Sequence, residues 1–147
     1  MYKRILVATD GSPLSRKAVK EAIALAASLE AGLVVLNVVP RYPTGYFEGG
    51  SSVSAEDVGR IEKDWSDKGQ VIADVAKNLA EAAGVNTKAV IARSDLVATA
   101  ILAAAKKNRC DLIVMASHGR KGLSRILLGS ETQQVLTHST IPVLVLR

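Results

Sequence analysis

The chain is poor in the side chains that most often carry chemistry: 147 residues include one cysteine, two histidines and an aromatic content of 3%. Cys110 stands alone, so an intramolecular disulfide and a C-x-x-C metal or redox pair are both excluded. It opens the run CDLIVMA, where packing as a small core hydrophobe outweighs service as a reactive thiol. His118 and His138 have no neighbours at metal-ligand spacing, which removes zinc chemistry. No apolar run approaches the ~18 residues needed to span a bilayer. The start, MYKRILVATDG, is too short in apolar residues for a secretory signal, so a cytoplasmic location is expected.

Lys and Arg number 19 against 14 Asp and Glu, a net charge of +5 that points to an anionic partner. The basic residues never run longer than two, and Tyr2, Tyr42, Tyr46, Phe47 and Trp65 are few for a base-stacking surface. Both facts argue against nucleic acid. What is abundant is apolar: 48% of residues against 22% charged, the composition of a folded chain. Its length fits one domain, residues 1–147, with a single core.

Five short runs rich in Val, Ile and Leu lie at Arg4–Ala8, 33–39, 87–92, Leu112–Ala116 and from Pro142 to Leu146. Several are apolar nearly throughout, as strands covered on both faces are. Between them run segments of helical period. The first covers 12–29, with Ser12 as N-cap, Pro13 as first helical residue, and Gly32 as terminator. The second covers 55–83, where Gly59 and Gly69 each cost about 1 kcal/mol against Ala and point to a kink or break. A third spans 96–107 with Ser94 or Asp95 as N-cap and Lys106 and Lys107 near its end; a fourth runs from Ser130 to His138. This alternation predicts an α/β fold: one doubly wound parallel five-stranded sheet with helices on both faces. Residues 40–54, PRYPTGYFEGGSSVS, are too many for an ordinary connection and read either as a functional lid or as a disordered insertion.

Ligands of such sheets bind beyond the carboxyl ends of the strands. There the chain carries Thr9-Asp10-Gly11-Ser12 after the first strand, and Ser117-His118-Gly119-Arg120-Lys121-Gly122 after the fourth. Gly119 and Gly122 permit positive φ and close backbone approach. Gly129-Ser130 opens the fourth helix, whose N–H groups attract an anion, and Arg120, Lys121 and Arg125 add positive charge. The alternative is structural: glycines in turns, and Ser130 with Gln133 as a capping box. Neither a Walker A loop nor a G-x-G-x-x-G fingerprint occurs. Asp10 has two readings as well, an acceptor for ribose hydroxyls or an Asx-turn over Gly11-Ser12.

The opening ILVATDGS, the stretch DLIVMASHGRKGLSRILLGS and the ending STIPVLVLR resemble the universal stress protein family, of the UspA-like kind, along the whole chain. The resemblance implies a Rossmann-like, adenine nucleotide alpha hydrolase-like fold. The family's nucleotide-binding branch carries G-x2-G-x9-G-[ST], matched here by Gly119, Gly129 and Ser130 at the right spacing, with Ala116 in place of the first glycine. By that resemblance Ala8, Thr9 and Asp10 meet the adenosine, with Asp10 near the ribose. Val38, or Val39 in an equivalent alignment, offers backbone groups to the adenine, and Met115 lines the base pocket. Ala116, His118, Gly119, Arg120, Gly122, Gly129, Ser130, Glu131 and Thr132 surround the phosphates, although His118 also reads as an ordinary loop residue. The cofactors implied are ATP and magnesium; the partner implied is a second copy, paired through the C-terminal strand from Pro142 to Leu146. The expected activity is ATP binding in a stress-response role, with hydrolysis slow or absent. Three other classes stand beside it: a nucleotide-independent dimeric interaction module, a nucleotide-dependent hydrolase or transferase, and a salt-sensitive nucleic-acid binder.

Overall fold

The computed structural model describes residues 1–43, 54–119 and 127–147. Along the chain these form β1 (Arg4–Ala8), α1 (Pro13–Leu29), β2 (Gly32–Val39), α2 (Ala55–Ala82), β3 (Thr87–Arg93), α3 (Val97–Lys107), β4 (Leu112–Ala116), α4 (Ser130–His138) and β5 (Val143–Leu146). The strands make one sheet in the order β3-β2-β1-β4-β5, every pairing parallel. The chain walks outward from β1 to β3 and then returns past it to β4. Crossovers of constant hand therefore put α1 and α2 on one face and α3 and α4 on the other.

Two cores follow from that winding. Ile5, Val7, Leu33, Val35, Leu112 and Val114 pack against Ala18, Val19 and Ala22 of α1 and Ala73, Ala76 and Ala80 of α2. Alternate residues of the same strands, Leu6, Val34, Leu36, Ile113 and Met115, pack against Ile101 and Ala104 of α3 and Val135 of α4. Strand β1 lies between β2 and β4 and is covered on both faces, so Ile5, Leu6 and Val7 are all buried. Its unbroken apolar run is the direct result.

Local sequence signals are partly followed. Ser12 caps α1 as expected: its Oγ accepts from the Ser15 N–H, and Pro13 is the first helical residue. Gly32 does not end α1. Glu30 does, in the left-handed region at φ 52°, while Ala31 N–H donates to the Ala26 carbonyl and Gly32 opens β2. Neither Ser94 nor Asp95 caps α3, whose N-cap is Leu96. The Ser94 hydroxyl accepts from Leu96 N–H in a local turn, and the Asp95 carboxylate accepts from Arg41 N–H, tying the exits of β2 and β3 together. Strand β5 starts at Val143 because Pro142 has no N–H, although its carbonyl accepts from Ile113.

Helix α2 runs unbroken for 28 residues through both of its glycines. Gly59 has open space around it, but a Cβ on Gly69 would lie 2.5 Å from Asn37 Oδ1 and 2.8 Å from Val39 Cγ2. The glycine lets the helix settle directly on β2, and that packing overrides the propensity cost. Of residues 40–54, positions 44–53 lie outside the described residues, and the lid and insertion readings lie there with them. At the margin of that stretch Tyr42 stacks on Trp65, ring centroids 6.2 Å apart.

Candidate functional site

The strand order reverses between β1 and β4, which pair directly from Ile5↔Leu112 to Val7↔Val114. Both chains leave the sheet side by side at its carboxyl edge, where an open α/β sheet has its crevice. The two exits are Thr9-Asp10-Gly11-Ser12 and Ser117-His118-Gly119.

The β1 exit is a tightly bonded turn. Thr9 N–H donates to the Leu36 carbonyl, continuing the sheet by one residue. Gly11 N–H donates to Thr9 Oγ1 at 3.2 Å, and Gly11 takes φ 79°, a conformation that favours glycine. Asp10 Oδ1 accepts from Ser12 N–H at 2.9 Å, so the Asx-turn is present. The other oxygen points across the crevice: a Cβ on Gly119 would meet Asp10 Oδ2 at 2.6 Å. The two readings of Asp10 thus concern different oxygens of one carboxylate.

The β4 exit joins α4 differently. Gly129 N–H donates to the Ser117 carbonyl at 2.7 Å. Thr132, only 1% exposed, donates its hydroxyl to the Ala116 and Ser117 carbonyls at 3.0 and 3.1 Å. These bonds seat the first turn of α4 against the end of β4. The capping box is absent. Gly129 is the N-cap, no side chain bonds the cap, and Gln133 Nε2 donates instead to the Leu128 carbonyl. Glu131 turns toward the other helix of its layer: its Oε2 accepts from Ala98 N–H at 3.2 Å, standing in for the side-chain cap that Leu96 cannot provide. Its carboxylate is engaged at α3 instead of lying over the α4 terminus.

Of the two properties the sequence suggests for the glycines, positive φ and close approach, the described residues here show close approach. Among the described residues positive-φ glycines are Gly11 and Gly84, while Gly129 has φ −60°. A Cβ on Gly129 would lie 3.0 Å from the Ser117 oxygen and 3.3 Å from the His118 Cα. Ala116, by contrast, continues the β4 ladder opposite Leu146 and is absent from the non-glycine residues of positive φ. The ladder accepts its methyl group without backbone strain.

The other candidates fall at the same edge. Ala8, Val38 and Met115 lie together on the α3/α4 face, Met115 buried and the other two half-buried. Val39 faces α2 and contacts Gly69, so Val38 is the member of that pair on the face of Met115. His118 is half-buried, with Nδ1 3.3 Å from the Ser117 hydroxyl. Ser130 is exposed at the start of α4. Arg120 and Gly122, with Lys121 and Arg125, lie outside the described residues.

Two further polar residues support this edge without having been singled out. Asn37 is buried in β2 and donates its Nδ2 to the Thr9 carbonyl at 2.9 Å. Ser15, buried in α1, pairs its Oγ with Thr9 Oγ1 at 3.0 Å and donates to the Ser12 carbonyl. A lone amide inside the run LVVLNVV was the only available signal. Among the described residues no group of three or more His, Cys, Asp or Glu could hold a metal ion. Cys110 is buried before β4, at the opposite end of that strand from the crevice, and burial pushes its thiol up to about 11. No helix of the described residues is long and apolar enough to cross a membrane.

Against known proteins, the family model described as the universal stress protein family matches residues 1–147. Universal stress protein YxiE of Bacillus subtilis is 34% identical over 149 aligned positions, covering all of both chains. The solved structure of MJ0577 of Methanocaldococcus jannaschii superposes with a TM-score of 0.84 at 27% identity, covering 99% of this chain and 96% of that one. A universal stress protein crystallised in complex with cAMP superposes with a TM-score of 0.71 at 27% identity, covering 99% and 97%.

Proposed function

The chain belongs to the universal stress protein family, and on that premise we propose that it binds ATP at the β1/β4 crevice and acts as a stress-response regulator. The observation that carries the reading is the backbone cradle. A Cβ on Gly129 would crowd the Ser117 carbonyl at 3.0 Å and one on Gly119 would meet the Asp10 carboxylate, and α4 begins beside them with no side chain bonded at its N-cap. Such a terminus offers unpaired N–H groups and the positive end of the helix dipole to a polyphosphate. The cAMP-bound relative adds support for an adenine nucleotide as the ligand class.

In this reading Ala8 and Thr9 border the adenosine, Asp10 accepts from the ribose, Val38 meets the adenine through its backbone, and Met115 lines the base pocket. The phosphates lie among Ala116, His118, Gly119, Arg120, Gly122, Gly129, Ser130 and Thr132. Glu131 contributes its main-chain N–H, since its carboxylate serves α3. Magnesium arrives on the nucleotide and is held chiefly by phosphate oxygens. Hydrolysis is slow or absent, because Asp10 is committed through Oδ1 to its own turn and, in this reading, through its other oxygen to the ribose, while Glu131 is engaged at α3. The protein pairs with a second copy through β5, an edge strand whose Leu144 is 41% exposed.

Calorimetric titration with ATP, ADP, AMP and cAMP, alongside mass identification of any nucleotide that co-purifies, tests the ligand. ATP is expected to bind most tightly in the presence of magnesium. Binding of none of the four would overturn the reading. Sedimentation of a Leu144→Glu variant tests the pairing, which predicts a monomer.

A further inference from the structure

Asn37 is an expensive residue to place where it stands. It is 5% exposed in the middle of an apolar strand, where an amide left without partners carries its full desolvation penalty. Its amide nitrogen donates to the carbonyl of Thr9, the residue just past the end of β1, and so fixes the peptide plane that leads into Asp10. Below that plane the hydroxyls form a directed chain. Ser15 has one hydroxyl proton and donates it to the Ser12 carbonyl, so Thr9 must donate to Ser15, and Gly11 N–H donates to Thr9. Each hydroxyl gives once and accepts once. The opposite side of Asn37 is set by α2, where only a glycine at 69 leaves room for Oδ1.

We infer that Asn37, backed by Gly69, is a positioning residue for Asp10, holding its carboxylate where it receives the ribose hydroxyls of the bound nucleotide. The inference rests on the nucleotide reading above and adds to it a determinant of sugar recognition that does not itself touch the ligand. It also links the middle of α2 to the crevice by two contacts. A substitution at position 69 of that helix thereby weakens the preference for a hydroxylated sugar.

The experiment compares ATP with 2′,3′-dideoxyATP, by calorimetry, on wild type, Asn37→Ala, Gly69→Ala and Asp10→Ala. Wild type is expected to prefer ATP by about tenfold, the scale of a hydrogen bond to a charged group. Asn37→Ala should remove most of that preference by weakening ATP while leaving dideoxyATP within about twofold. Gly69→Ala should do the same to a smaller extent, and adding Asn37→Ala to Asp10→Ala should cause no further loss. Equal weakening of both nucleotides would mean a merely structural role and overturn the inference, as would an unchanged preference. If Asn37→Ala does not fold, Gly69→Ala decides alone by the same ratio. Wild type binding neither nucleotide would instead overturn the nucleotide reading, and this inference with it.

Discussion

The two exits at the crevice are built on opposite plans. After β1 the chain is fixed by buried side chains: Asn37, Ser15, Thr9 and Ser12 bond the turn from inside, and Asp10 bonds it from above. After β4, among the described residues, Thr132 bonds the Ala116 and Ser117 carbonyls beneath α4, Glu131 reaches to α3, and Gln133 bonds the Leu128 carbonyl. The end of α4 that meets the crevice receives no side-chain cap. One exit is thus arranged to present a side chain, the other to present a main chain. A ligand with a hydroxylated sugar at one end and phosphates at the other fits that division. The first needs a carboxylate in a fixed direction, the second needs N–H groups left without an internal acceptor.

The sharpest way to break the contrast is to fill the main-chain side. Gly129→Val puts branched carbon against the Ser117 oxygen and His118. ATP affinity is expected to fall about a hundredfold or more, the equivalent of two lost charge-assisted hydrogen bonds, while circular dichroism stays native. Retained affinity would remove α4 from the site. Next in size is Thr132→Val, which deletes the buried donor shared by two carbonyls. It should lower stability by about 1–3 kcal/mol and, by loosening the α4 terminus, weaken ATP as well; thermal melts and titration read the two effects separately. Ser12→Ala sharpens the comparison from the other side. Loss of the N-cap costs about 1 kcal/mol and a few degrees of Tm, yet Asp10 and Ser15 still hold the turn, so ATP affinity should remain within about twofold. Smallest is Glu131→Gln. It replaces a charged cap of α3 by a neutral one and should cost a few tenths of a kcal/mol, about the lower range for a charge at a helix end, with no change in nucleotide binding. A large loss of affinity there would show the carboxylate acting at the crevice.

Much of this could be read in advance, and the reason differs from place to place. The five strands and four helices of the described residues were visible because residues 5–8 of β1 and all of β4 are apolar and the helices repeat their apolar residues at helical spacing. Ser12 and Pro13 were legible because capping is decided within four residues. Gly32, Ser94 and Asp95 misled for the same local reason. Glu30 accepts the left-handed conformation itself, and Asp95 finds a better donor in Arg41, which is distant in sequence. Gly69 looked like a weakness in α2 until the strand beneath it was known. Gly129 and Ser130 marked in sequence where α4 begins, while the neighbours that crowd Gly119 and Gly129, Asp10 and Ser117, come from positions too distant in sequence to be read locally. Glu131 and Asn37 act through partners on other elements, and no window along the chain contains either pair.

The solitary sulfhydryl at position 110, buried in the turn between α3 and β4 with its ionisation disfavoured by that burial, gives this molecule a built-in clock. Burial slows alkylation there, so the labelling rate in native buffer reads local opening around the end of α3. Because the residue lies at the far end of β4 from the crevice, a small molecule bound in the crevice that slows this rate reports tightening at a distance from its own contacts.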